Sequence, residues 1–248
     1  MKVALVCIAK EEDNYIQEWV DYNKKLGFDD IIIYQNDWRS SIDEPNVIKI
    51  DFDGVNMQTR AYNDFIKNNY KKYDWAAFFD IDEFLVLKKH NNIKDFISEY
   101  NNFSCIGINW VLFGDNDLTK PDGDFNVVKR FTKRQIEINQ HVKSIIKLSY
   151  NIKMDVHCPI NTPISDTNKK LFVGPFNVNG DDSIAQLNHY FCKTQEEFIN
   201  KCNRGRADTA FVDLHRRTMV DFNNHNFNEV EDLSALNFLY DNNNILNS

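Results

Sequence analysis

Three carboxylates stand together in Asp80-Ile81-Asp82-Glu83, directly after the apolar run Trp75-Ala76-Ala77-Phe78-Phe79 and before Phe84-Leu85. A short run that is apolar throughout suits a strand buried on both faces. Open α/β sheets bind ligands beyond the carboxyl ends of their strands, which is where Asp80 and Asp82 then fall. Side chains two residues apart in extended chain point the same way, so both carboxylates can face one cavity. Two such groups repel unless a positive charge sits between them. Mg²⁺ or Mn²⁺ carrying a substrate's phosphates meets that need, because hard cations take oxygen ligands and bind through one or two carboxylates plus phosphate. An isolated D-x-D is more often a solvated acidic turn, so the rest of the chain has to decide.

The elements that would position this turn read clearly on its amino-terminal side. Val3–Ala9 is a continuous apolar strand. It is followed by a helix with Tyr15, Ile16, Trp19, Val20 and Leu26 near one face, Asp13 or Asn14 as cap and Gly27 as stop. Asp30–Gln35 is a second strand and 47–50 a third; 58–70 repeats apolar residues at helical spacing. This β-α-β-β-α-β order calls for a parallel sheet with helices on its faces. Beyond residue 85 the spacing predicts a short helix at 93–100, strands at 104–113, 126–132, 142–149 and 184–191, and irregular chain over 151–182. Thr194 and Glu197 form a capping box opening a helix at 195–202. The organisation expected is one catalytic domain, 1–220, and an Asn/Asp-rich tail, 221–248, with one weak helix near 233–239.

With 19 Phe, 10 Tyr and 4 Trp in 248 residues, a substantial core can form. The net charge of −8 argues against a nucleic-acid partner, which needs a basic face, but leaves room for a nucleotide in a local cationic pocket. Cys7, Cys105, Cys158, Cys192 and Cys202 have no framework spacing, which fits reduced thiols and draws no zinc site. The apolar run at the amino terminus is short for a signal peptide and far too short to span a bilayer. A cytoplasmic location is expected, with any membrane contact made at the inner face.

The loop after the first strand, Lys10-Glu11-Glu12-Asp13-Asn14, contains no glycine. Dinucleotide-binding domains and P-loop enzymes need glycine there to let backbone approach phosphate, so neither fits. A nucleotide would be held by side chains and a metal instead. A haloacid-dehalogenase phosphatase also ends a strand in D-x-D, with the first Asp (here Asp80) as nucleophile. The sequence departs from that pattern at Glu83-Phe84, and the motif comes after two crossovers. A non-catalytic carbohydrate-binding domain is the other alternative.

Several stretches together resemble the GT-A glycosyltransferases, within them glycosyltransferase family 92 and the related family-2-like group. They are Ala9-Lys10-Glu11-Glu12, Glu18-Trp19-Val20, Leu26-Gly27-Phe28, Ile33-Tyr34-Gln35-Asn36, Gln58, the run from Trp75 to Leu85, Asn109-Trp110 with Phe113-Gly114, Asn188-His189-Tyr190, and Lys193, Phe198, Lys201, Arg204-Gly205. The resemblance implies a GT-A-like (Rossmann-like) α/β fold, mostly parallel, with a more irregular mixed carboxyl-terminal part. It implies transfer of a sugar from a nucleotide sugar, expected to be a UDP-sugar, to a glycan or glycolipid acceptor in polysaccharide assembly, with inversion. Asp80, Asp82 and His189 are the implied holders of Mn²⁺ or Mg²⁺. Lys10, Glu11, Asn36, Arg60, Asp80, Lys201 and Arg204 are the implied nucleotide contacts, with Arg206 nearby. An inverting reaction needs a carboxylate base, for which Asp115 is the choice; Asp117, Glu137 and Asp208 stay open. His157 is placed on the acceptor side, and Trp110 and Phe113 are offered as platforms for a sugar ring or as core.

Overall fold

The structure, a computed structural model, describes residues 1–205 and 217–240. Arg206 and Asp208 lie outside the described residues. β1 (Val3–Ala9) is buried along its whole length, as an all-apolar strand must be. α1 (Ile16–Leu26) buries Ile16, Trp19, Val20, Tyr22 and Leu26, and Gly27 ends it in the left-handed region at φ 97°, where glycine carries no Cβ penalty. The expected cap at Asp13 or Asn14 is not formed: Tyr15 precedes the helix without capping it, and Asp13 accepts the Trp38 indole N–H at 2.8 Å. β2 (Asp30–Gln35) and β3 (Val47–Asp51) follow. Then come α2 (Gln58–Asn69), which buries Ala61, Tyr62, Phe65 and Ile66, and β4 (Trp75–Phe78). β1 lies parallel to β2 and β4, and β2 parallel to β3, so the parallel half is the expected one.

After the acidic turn the chain runs through β5 (Glu83–Leu87), α3 (Ile93–Ser98) and β6 (Cys105–Leu112). The stretch 126–132, expected as a strand, is instead the single turn α4 (Val127–Arg130). The buried Glu18 carboxylate accepts the backbone N–H groups of Val127 at 2.6 Å and Val128 at 3.1 Å. It thereby satisfies donors that a helix start leaves orphaned, and that outweighs the β-branched preference of the two valines. β7 (Lys133–Arg134), β8 (Val142–Lys147), β9 (Ile164–Ser165), β10 (Leu171–Phe172) and β11 (Ala185–His189) complete the strands before α5 (Gln195–Arg204), whose Thr194–Glu197 capping box is formed as expected. The described part of the tail holds more than one helix: α6 (Met219–His225), β12 (Val230–Glu231) and α7 (Ser234–Tyr240).

The sheet order is β10-β9-β6-β8-β4-β1-β2-β3, with β8 antiparallel to both β4 and β6. β6 keeps β8 beside it as far as Asn109; from Trp110 to Leu112 it pairs with β11, which runs antiparallel to β5. Apolar side chains fill both faces, one layer under α1 and α3 and another under α2. The result is an α/β fold, parallel at its amino-terminal half and mixed beyond. Its topology brings the carboxyl ends of β1, β4 and β11 together around residues 80–82. Among the described residues no helix is long and apolar enough to cross a membrane.

Candidate active site

Asp80 and Asp82 sit in the turn between β4 and β5 and line a cleft of about 350 Å³. Around them the cleft takes Lys10 and Glu12 from the loop after β1, Gln58 from α2, Trp110 from β6, His189 from β11, and Lys201 and Arg204 from α5. Arg217, Asp221 and His225 close it from the tail, and His141 and His157 from the flanks of β8 and the irregular stretch. Four of the chain's six histidines therefore meet in one cleft. Spacing could not have shown this, because they come from four separate segments.

Each aspartate carries its own lysine. Asp82 Oδ2 accepts from Lys201 Nζ at 2.6 Å, and Asp80 Oδ2 from Lys143 Nζ at 2.8 Å. Burial would raise the Asp82 pKa, but Lys201 and then His189 outweigh it and hold the carboxyl well below the usual range. Burial in turn brings Lys201 down to about 8 against the pull of Asp82. His189 faces Asp82 with Nε2 at 3.7 Å from Oδ1. Burial depresses its pKa more than Asp82 raises it, so the ring is neutral at pH 7 and Nε2 can offer a lone pair. Its Nδ1 has no hydrogen-bond partner among the described residues; the ring is held by Trp110 at 4.3 Å and Phe191 at 5.6 Å instead.

These two side chains fit a hard cation. Mg²⁺ sits about 2.0–2.1 Å from its ligands, so two donors on one ion are separated by roughly 3–4 Å, a range that includes the Asp82–His189 distance. Among the described residues no group of three or more His, Cys, Asp or Glu side chains could hold a metal. The remaining ligands would have to be phosphate oxygens and water, the usual pattern for Mg²⁺.

The other residues singled out in the sequence divide sharply. Lys10 lines the cleft and pairs with Asp37 at 3.3 Å. Arg204 lines it too, but its guanidinium is committed to the loop after β1: Nη1 donates to the carbonyls of Lys10 at 2.9 Å and Glu11 at 2.7 Å, and Nη2 pairs with Glu12. Glu11, Asn36, Arg60 and Asp115 are not among the lining residues. Asn36 is buried and ties down the carbonyls of Phe52 and Gly54, and Arg60 is exposed beside Met57. Asp115 is buried under the tail, accepting from Asn228 Nδ2 at 2.9 Å and from the Asp117 N–H at 2.9 Å; it shapes that loop. Trp110 lines the cleft but is buried, with His141 stacked on it at 5.0 Å and His189 packed against it at 4.3 Å, while Phe113 is core. His157 lines the cleft, its pKa brought down to about 4 by burial and then by Lys143. Lys143, His141 and His225 were not foreseen. Lys143, next to Val142 and two residues before Ile145-Ile146 in β8, was the one available signal.

The profile of glycosyltransferase family 92 matches residues 45–225. A glycosyltransferase family 92 protein of Arabidopsis thaliana is 25% identical over 222 residues, covering 80% of this chain and 36% of that protein. One of Ricinus communis is 24% identical over 232 residues, covering 88% and 40%. The chain thus spans well under half the length of these relatives. Among solved structures, Staphylococcus aureus TarS 1–349 is similar at 14% identity over 81% of this chain and 63% of that one, with a TM-score of 0.37. The family profile covers most of the sequence, including the acidic turn, β11 and α5, and the chain belongs to glycosyltransferase family 92.

Proposed function

We propose that the cleft binds a nucleotide sugar, a UDP-sugar above all, together with Mn²⁺ or Mg²⁺, and transfers the sugar to a glycan or glycolipid hydroxyl. The observation that carries this is the Asp82–His189 pair, a carboxylate and a neutral imidazole 3.7 Å apart, set beside the cleft-lining cations Lys10, Lys201, Arg204 and Arg217. Breaking a glycosyl–diphosphate bond leaves growing negative charge on the leaving oxygens, and fixed positive charge in a partly buried cleft is what stabilises it. When bound, the cation would supply Lewis-acid stabilisation of that diphosphate, held by Asp82 and His189. Lys201, already drawn into the cleft by Asp82, is placed to contact the same group. Arg204 acts one step back, by bracing the Lys10–Glu12 loop. Asp115 is not given the role of base, because its carboxylate is engaged beneath the tail.

Membership of a glycosyltransferase family sets the phosphatase alternative aside. A silent carbohydrate binder is separated by experiment: thermal shift and hydrolysis across UDP-, GDP- and CMP-sugars, each with Mn²⁺ and with EDTA. Stabilisation and slow hydrolysis of a UDP-sugar, both lost in EDTA, are expected. Stabilisation by free glycans with no response to any nucleotide sugar would sink the proposal.

A further inference from the structure

His141, His157 and His225 line the cleft, and the donor reading gives none of them a task. Each has its Nδ1 on an oxygen of the protein. His157 Nδ1 lies 3.2 Å from the Val142 carbonyl, and His225 Nδ1 lies 2.7 Å from the Asp221 carbonyl. A carbonyl only accepts, so in both rings Nδ1 carries the hydrogen and, in the neutral ring, Nε2 keeps a lone pair. His141 Nδ1 lies 2.8 Å from Asn139 Oδ1, which also takes the His141 backbone N–H at 3.0 Å, and the same tautomer follows. Neutral imidazoles held this way are acceptors. A diphosphate has no proton to give them at neutral pH, whereas a hydroxyl has one.

The transfer needs a base for the acceptor's proton. Among the described residues the carboxylates lining the cleft are Glu12, Asp80, Asp82 and Asp221. The first three are paired with Arg204, Lys143 and Lys201. Asp221 Oδ2 caps its own helix, accepting from the Thr218 N–H at 2.7 Å and hydroxyl at 3.1 Å. Of the histidines, His157 is a weak base, brought down to about 4 by burial and then by Lys143. Burial, and then His225, also lowers His141, which is stacked on Trp110 with Phe176 against it at 4.7 Å. His225 is better served. It ends α6, where the helix favours a positive charge. The Asp221 carbonyl orients its ring and steadies the imidazolium that would form, as the third group does behind a catalytic histidine. It also stands within one aromatic ring of the diphosphate centre: Phe191 lies 4.4 Å from His225, 4.4 Å from Lys201 Nζ and 5.6 Å from His189.

We propose that His225 is the general base of the transfer, its Nε2 taking the proton of the acceptor hydroxyl where the sequence led us to expect a carboxylate. As the acceptor oxygen bonds to the anomeric carbon, the bond from that carbon to the diphosphate breaks. Its electron pair leaves with the diphosphate, and the proton stays on His225 until water takes it. This rests on the nucleotide-sugar reading of the cleft.

The test has a spectroscopic and a kinetic part. Long-range ¹H–¹⁵N spectra of the ligand-free protein should show neutral His225 protonated at Nδ1, its signal identified by loss in His225→Ala. Hydrolysis in Mn²⁺ of the UDP-sugar chosen by the donor screen is transfer to water and calls on the same base. His225→Ala should lower its kcat by about 100-fold or more, with UDP affinity by calorimetry kept within a few-fold. Added imidazole should return part of the rate, and more basic imidazoles should return more, as Brønsted behaviour requires. Asp221→Asn, which can still cap α6, should stay within a few-fold of the parent. Should the alanine variant melt early, His225→Gln, whose amide can donate to the Asp221 carbonyl, gives the same loss in a folded protein. The inference is overturned by His225 protonated at Nε2, by a parent-like kcat in His225→Ala, or by a lost rate that imidazole does not return. It is overturned equally by an Asp221→Asn loss as large as that of His225→Ala, or by a fall in UDP affinity that matches the fall in rate. A parent that binds a UDP-sugar without hydrolysing it overturns this inference alone; one that binds no UDP-sugar overturns the donor reading with it.

Discussion

At the residue scale, the two aspartates of one turn have different surroundings, Asp80 paired with Lys143 and Asp82 with Lys201. Asp82→Asn keeps the shape of the side chain and removes the charge that Lys201 and His189 answer. The expected outcome is a loss of Mn²⁺-dependent UDP affinity of about 100-fold or more, since even outer-sphere partners of metal ligands are worth 10–100-fold. Titration calorimetry on protein with an unchanged circular dichroism spectrum checks it, and parent-like affinity in the variant would remove Asp82 from the site. Arg204 makes the opposite case. Its three partners in the Lys10–Glu12 loop make it a brace, so Arg204→Ala should lower stability by about 2–4 kcal/mol. Arg204→Lys should recover little of this, because an ammonium cannot serve the forked geometry. Denaturant melts of the three proteins measure both effects. A variant of unchanged stability but weaker diphosphate binding would return Arg204 to the role the sequence implied.

At the element scale, α5 brings Lys201 to the cleft, and what holds α5 is the buried pair Arg130–Glu197, with side chains 5% and 4% exposed. Glu197 also accepts from Tyr15 at 2.8 Å and closes the Thr194 cap. Glu197→Ala leaves a buried guanidinium unpaired, at a cost of about 3–5 kcal/mol, whereas a double Met replacement should recover most of it. Burial opposes ionisation of Glu197, but Arg130, Thr194 and Tyr15 carry its pKa from an ordinary 4.5 down to about 2. A depressed carboxylate stabilises fully above its unfolded value and loses that contribution as pH falls through the folded one. The parent should therefore lose melting temperature between pH 4.5 and 2 more steeply than the double Met variant; parallel curves would show that the pair is energetically silent. Elements such as β1, β2 and β4 were legible because an apolar run buried on both faces leaves no other reading. α4 was not, because its shape is set by Glu18, more than 100 residues earlier. The site was legible in the same uneven way. The turn announced Asp80 and Asp82, but Lys143, His141 and His225 reach it only through the register of β8 and the path of the tail.

At the scale of the whole molecule, the residues that read as an Asn/Asp-rich tail strap the exit of β6. Asn226 Oδ1 accepts the Asp115 N–H at 2.8 Å, and Asn228 bonds both the Asn116 N–H and the Asp115 carboxylate at 2.9 Å. Farther along, β12 pairs with β7, Ala235 is buried, and Phe238 packs edge-on against Tyr22 of α1 at 4.9 Å. The strap lies so close that a Cβ on Gly114 would stand 2.5 Å from the Phe227 carbonyl and 2.3 Å from Asn228 Oδ1. The first of these is backbone and cannot swing away. Gly114→Ala must therefore displace the strap, an overpacking cost of about 1–3 kcal/mol, or roughly 2–12 °C of melting temperature for a domain of this size. A chain ended after Thr218 removes the strap and uncovers Tyr22, so it should melt lower still and lose cooperativity. Because α6 contributes Asp221 and His225 to the cleft, that truncated chain should also bind UDP more weakly at temperatures where it remains folded. Differential scanning calorimetry with calorimetric UDP titration reads both. A Gly114→Ala protein and a truncated chain that melt with the parent would show that the fold is complete without residues 219–240, and that the strap is only draped on it.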